Sequence, residues 1–117
     1  MTSTDLMNRI VELGLDKKGQ QIVTMDIAGL TGIGDYFIII SGNSDVHVKA
    51  IADHIDKELK DEGVPVYHKE GYQHLTWVLL DYIDVVVHIF QRDAREYYAI
   101  ERLWADAPIE FITEQEA

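Results

Sequence analysis

The sequence predicts an α+β fold of two layers: a mixed five-stranded sheet with helices, in the order αββαβββα. Three observations predict it. Residues 75 to 90, LTWVLLDYIDVVVHIF, form the longest apolar run and are rich in the β-branched and aromatic residues that suit a pleated, partly buried surface. Residues 35 to 42, DYFIIISG, form a second run without alternation, as expected of a central strand buried on both faces. Between the two, Val48, Ile51, Ala52, Ile55 and Leu59 recur at the spacing of one helical stripe.

The elements follow in chain order. Ser3 or Thr4 caps a first helix with Leu6, Ile10 and Leu13 on its inner face, and Gly14 stands where a left-handed terminator is usual. Ile22, Thr24 and Asp26 then alternate with Val23, Met25 and Ile27, which predicts a strand. Residues 28 to 34 read as a loop, and its GLTGIG lacks the Lys-Ser/Thr pair of a phosphate-cradling loop. After the central strand, Ser44 caps a helix that runs to about residue 62 and is stopped by Gly63 and Pro65. Residues 66 to 70 form a third short strand before Gly71.

The long run divides into LTWVLL and DVVVHIF, the halves of a hairpin on which the rest packs. A two-residue turn at Tyr82 and Ile83 pairs Asp81 with Asp84, Leu79 with Val86, Trp77 with His88 and Leu75 with Phe90. One face then carries Val78, Leu80, Val85, Val87 and Ile89, fit to be covered by helices. The other carries Trp77, His88, Phe90 and both aspartates. That mixture suits a surface covered by a partner, because Trp joins a large apolar area to an N–H donor that needs an acceptor. A last helix starts at Asp93, which makes the D-x-x-E capping spacing with Glu96, and turns Tyr97, Ile100, Leu103 and Trp104 inward. Pro108 and an acidic tail end the fold, leaving an ordered core of about residues 4 to 106.

At 117 residues the chain has room for one domain with a real core, 1 to 117, and too little for two. A hydrophobic share of 47% beside 26% charged residues is the balance of a folded globular protein. No stretch approaches the roughly 18 apolar residues that span a bilayer, and the first 16 residues lack a signal-peptide pattern. The expected compartment is cytoplasmic, with no membrane partner. Cysteine is absent, which removes disulfides and thiolate chemistry together. With ten basic residues scattered among 21 acidic ones, the net charge of −11 repels a nucleic-acid backbone, so the expected partner is a basic protein.

Catalytic and metal-ligating patterns are weak. Among five histidines, His47 and His54 lie seven apart on one helix, His68 and His74 flank a turn, and His88 sits mid-strand. None has the i, i+4 spacing that presents two imidazoles to one ion. Asp81 and Asp84, three apart across a turn, do not share a face as a metal-holding D-x-D strand pair does. No catalytic residue, metal or cofactor is assigned, and the residues alone describe a small acidic binding module.

The string DYFIIISGNSDVHVKAIADHI, then EG, then WVLLDYIDVVVHIF, Arg95 with YY, and ERLW resembles the ribosomal silencing factor family RsfS, also called Iojap or YbeB, over roughly residues 5 to 106. The resemblance implies a nucleotidyltransferase-like fold without its catalytic residues. It also implies binding to the large ribosomal subunit through its protein uL-fourteen, a block on joining of the small subunit, less translation under nutrient limitation, and a homodimer off the ribosome. Positions that match are Asp35, Tyr36, Ser41, Gly42, His47, Glu70, Gly71, Trp77, Asp81, Tyr82, Asp84, His88, Arg95, Tyr98 and Trp104. Of these, Glu70, Gly71, Trp77, Asp81, Tyr82, Asp84 and His88 are the expected contact surface. Family members usually carry glycine where this chain has Ile83. A nucleotidyltransferase-type enzyme and a generic protein adaptor stay open as alternatives, the first opposed by the missing G-S start and D-x-D pair.

Overall fold

The computed structural model describes residues 1 to 30 and 32 to 113. Strands β1 (Gln20–Asp26), β2 (Tyr36–Gly42), β3 (His68–Glu70), β4 (Trp77–Asp81), β5 (Val85–Gln91) and β6 (Ile109–Phe111) form one mixed sheet in the order β3-β4-β5-β2-β1-β6. β2 and β5 pair in parallel at its centre, and the other pairings are antiparallel. The helices are α1 (Ser3–Asp16), α2 (Asp45–Asp61), α3 (Arg92–Tyr98) and α4 (Ile100–Leu103). The sheet has one strand more than the five expected, because the chain does not stop at Pro108. Met25, Thr24 and Val23 pair with Ile109, Glu110 and Phe111, so the ordered part extends past residue 106. The acidic end, residues 114 to 117, lies outside the described residues.

Local chemistry explains the helix ends. Thr2, not Ser3 or Thr4, caps α1: its hydroxyl accepts from the Asp5 N–H at 3.0 Å while the Asp5 carboxylate accepts from the Thr2 N–H at 3.2 Å. Gly14 lies inside α1 rather than ending it. A Cβ there would sit 3.0 Å from Ile40 Cδ1, so the missing side chain lets α1 approach β2 closely. In α2, the Ser44 hydroxyl accepts from the His47 N–H at 3.1 Å, and all five residues of the expected stripe are buried. Arg9 then ties α1 to the end of α2 through two-pronged donation to Glu62, at 3.0 and 2.7 Å.

The sheet separates two apolar clusters. On one face, α1 and α2 cover Ile38, Ile40, Val78, Leu80, Val85, Val87 and Ile89, which includes every hairpin residue assigned to the helix side. Side chains of this kind contribute about 1.5 to 3 kcal/mol each when fully buried. On the other face, Val23, Met25, Phe37, Ile39, Val86 and Phe90 pack under Ala94, Ile100 and Ala107. Helices therefore do cover part of the face that was expected to stay free of them.

The last helix departs from its expected course. It begins at Arg92, directly after β5, capped by the Gln91 backbone without a side-chain bond, so Asp93 is no cap and the Asp93/Glu96 box does not form. Ala99 adopts a left-handed conformation, φ 45°, and splits the helix into α3 and α4. The rotation turns Tyr97 (82% exposed) and Leu103 (74% exposed) outward, while Ile100 stays buried and Trp104 half-buried.

The hairpin register is also shifted. Trp77 pairs with Phe90, Leu79 with His88 and Asp81 with Val86, two residues from the expected pairing. A shift of two keeps every side chain on its face. The turn residues become Ile83 and Asp84: the Tyr82 N–H donates to the Val85 carbonyl, the Asp84 N–H to the Tyr82 carbonyl, and Ile83 sits at φ 73°. This branched residue holds a glycine's conformation with its side chain 58% exposed. Ile83→Gly is therefore expected to stabilise the fold by about 0.5 to 1 kcal/mol, since relief of left-handed strain exceeds the added entropy of the unfolded chain. Chemical denaturation checks this, and an unchanged or lower midpoint would refute it.

Candidate partner-binding surface

The expected contact residues do not all come together. β4 and β5 place Trp77 and His88 on the second face of the sheet, and β3 adds His68 and Glu70 beside Asp81 and Leu79. Trp77, Leu79 and Asp81 are half-buried there, with Glu70 exposed at the edge. Asp84 is exposed at the hairpin tip, away from them in the turn. Tyr82 is on the opposite face, 6% exposed within the cluster under α1 and α2. Its hydroxyl is pushed well above the usual phenol range, first by burial and then by the Asp56 charge, so it stays protonated. Parity along β4 carries the signal: Tyr82 follows Val78 and Leu80 at period two. The same parity places Leu79 beside Trp77 on the second face, a residue the sequence reading left out.

Gly71 permits a close approach of backbone to backbone. At φ 94° it brings its backbone against β4, where an added Cβ would lie 2.0 Å from the Trp77 carbonyl oxygen. Asp81 is committed locally, its carboxylate accepting from the Ile83 N–H at 2.7 Å. That bond is a turn-forming one rather than half of a metal pair.

Trp77 is the centre of this surface. Its ring lies 4.8 Å from Phe90 and 4.8 Å from Tyr98 of α3, and its indole N–H donates to His88 Nδ1 at 3.1 Å. His88 itself is buried, edge-on to Phe37 at 4.9 Å. From this buried position it holds the Trp77 indole in place. Accepting at Nδ1 requires a neutral ring, and burial pushes its pKa from the ordinary 6.5 down to about 4. Between those values the unfolded chain binds the proton and the folded chain does not, so stability present above pH 6.5 is lost as the pH falls toward 4. The depression corresponds to about 3 kcal/mol. His88→Gln keeps an acceptor for the indole without the titration. Its loss of stability between pH 7 and 4.5 is expected to be smaller than the parent's by roughly 2 kcal/mol. Parallel losses in denaturant titrations would refute this.

Two other histidines, His47 and His54, serve the scaffold. His47 accepts from the Asn43 N–H at 2.8 Å and lies 2.8 Å from the Lys17 carbonyl, joining α2 to the end of α1, and His54 meets Asp16 at 3.1 Å. The glycine loop borders a cleft of about 320 Å³ shared with Asp35 and Asp84, carboxylates that oppose a phosphate there.

The family described as "Ribosomal silencing factor during starvation" matches residues 1–117. The chain belongs to this ribosomal silencing factor family. It is 42% identical over 108 residues to the ribosomal silencing factor of Halalkalibacterium halodurans, which covers 92% of both chains. A crystal structure of a Chromobacterium violaceum protein superposes with a TM-score of 0.88 at 33% identity, covering 99% of this chain and 98% of that one. A more distant relative is the mouse "mitochondrial assembly of ribosomal large subunit protein 1", 28% identical over 84% of this chain and 44% of its own. Silencing factors are a regulatory family and not enzymes, which removes the nucleotidyltransferase alternative.

Proposed function

We propose that the chain binds the large ribosomal subunit through its basic protein uL-fourteen, blocks association with the small subunit, and represses translation under nutrient limitation. The observation that carries this is the silencing-factor match along residues 1–117. Three observations support it. The net charge of −11 steers the chain toward a basic protein and away from the surrounding RNA. Trp77 supplies a half-buried aromatic anchor, and Glu70 and Asp81 give it an acidic border. The name of the mouse relative adds a link to a large subunit. The site of action is the cytoplasm, where bacterial ribosomes work, and off the ribosome the chain forms a homodimer. Cosedimentation with separated subunits tests the proposal: the chain is expected to pellet with the large subunit and to prevent its joining to the small one. Pelleting with the small subunit alone, or with neither, would overturn it.

A further inference from the structure

A cleft of about 610 Å³ opens between the split helix and the β1–β6 edge, and neither Trp77 nor Tyr98 lines it. Its size is that of a small-molecule site. Three of the chain's four arginines, Arg92, Arg95 and Arg102, line it, in a protein whose net charge is −11. Arg95 is 8% exposed and fixed in place, donating to Ser41 Oγ at 2.8 Å and to the Gln21 carbonyl. Glu101 offsets its charge at 3.3 Å. Arg92 is held by a neutral partner, Gln20 Oε1, at 2.8 Å. Among the described residues the Arg102 guanidinium has no hydrogen bond or ion pair. The left-handed Ala99 is what turns α4 so that Glu101 and Arg102 face this cleft. With Glu96 also present, the lining holds three guanidiniums against two carboxylates. Phe111, 73% exposed, adds an apolar plate at the lip.

We infer that this cleft binds a nucleoside phosphate, its phosphates taken by Arg92 and Arg102 beside the fixed Arg95 and its base resting on Phe111. Guanidinium groups are always charged and fork onto phosphate oxygens, and aromatic faces take bases without regard to sequence. Such a site is separate from the Trp77 surface and does not depend on the ribosomal proposal.

The test is titration calorimetry of the full chain at about 20 mM salt, where screening is weak, with adenosine diphosphate and with pyrophosphate, free of divalent metal. Adenosine diphosphate is expected to saturate one site per chain, and pyrophosphate to bind the same site at least about threefold more weakly because it lacks a base to stack. Arg102→Ala and Arg92→Ala are each expected to weaken both ligands by roughly tenfold or more, since each removes a charge-assisted donor. Glu96→Gln is expected to tighten both. Both arginines are exposed, so the variants are expected to fold, which their melting curves check. No saturable heat from either ligand would overturn the inference. So would affinities that both arginine variants leave unchanged, or pyrophosphate binding as tightly as adenosine diphosphate.

Discussion

Trp77→Ala is expected to lower affinity for the large subunit by roughly thirty- to a thousandfold, the effect of about 2 to 4 kcal/mol typical of an interface aromatic anchor. The fold should lose less. Trp77 is half-buried at the margin of the second cluster, so its removal opens a groove that water fills rather than a sealed cavity. Its stacking on Phe90 and Tyr98 is lost, and His88 Nδ1 loses its donor, for a combined cost of about 1 to 2 kcal/mol. That corresponds to a fall in melting temperature of roughly 5 to 10 °C in a domain of this size. Melting and subunit affinity measured on the same protein separate the two roles. A drop of tens of degrees with affinity intact would make Trp77 a core residue and remove the Trp77 surface from the proposed function.

What was legible in the sequence is what period and capping encode. The stripe from Val48 to Leu59 and the Ser44 cap define α2 because both signals are local and agree. The two faces of the hairpin were legible although its register was not. Alternation fixes parity, whereas register depends on where the turn falls, and a chain with Ile83 in place of glycine does not mark the residue of positive φ. Gly14 was ambiguous in one dimension. The same residue suits a helix terminator or a close helix–strand contact, and only the position of Ile40 decides between them. Strand β6 offers three residues, Ile109, Glu110 and Phe111, too short an alternation to stand out beside Pro108. Its stability comes from pairing with β1, a contact 84 to 88 residues away in sequence.

The surface was half legible for the same reason. Trp77 and Glu70 lie at the second face and its edge, but motif matching cannot tell residues that touch a partner from residues that hold others in place. Tyr82 and His88 are buried, which gives both a packing role that the motif alone does not reveal. Gly71 is the sharpest case, since it was expected at the contact and its geometry gives it a structural task.

Gly71→Ala is expected to destabilise the protein by about 2 to 5 kcal/mol, combining the left-handed penalty of an L residue with backbone displacement. The new Cβ would meet the Trp77 carbonyl oxygen at 2.0 Å, the Trp77 carbonyl carbon at 2.9 Å and Val78 Cα at 3.0 Å, all backbone atoms of β4 that no rotamer change can move aside. Either the 71–75 turn opens, losing the bond from the Leu75 N–H to the Gly71 carbonyl at 2.9 Å, or β3 leaves the sheet edge. The strand pairs through three residues, His68, Lys69 and Glu70, and its side chains are exposed, so detachment is the cheaper route. Amide exchange should therefore rise in the β3 to β4 segment more than in β2 or β5, with the melting temperature lowered by roughly 10 °C or more. If Gly71 instead served the partner directly, the Gly71→Ala protein would melt within a degree or two of the parent and lose only its affinity. That outcome would show the glycine to be there for the ribosome and not for the turn.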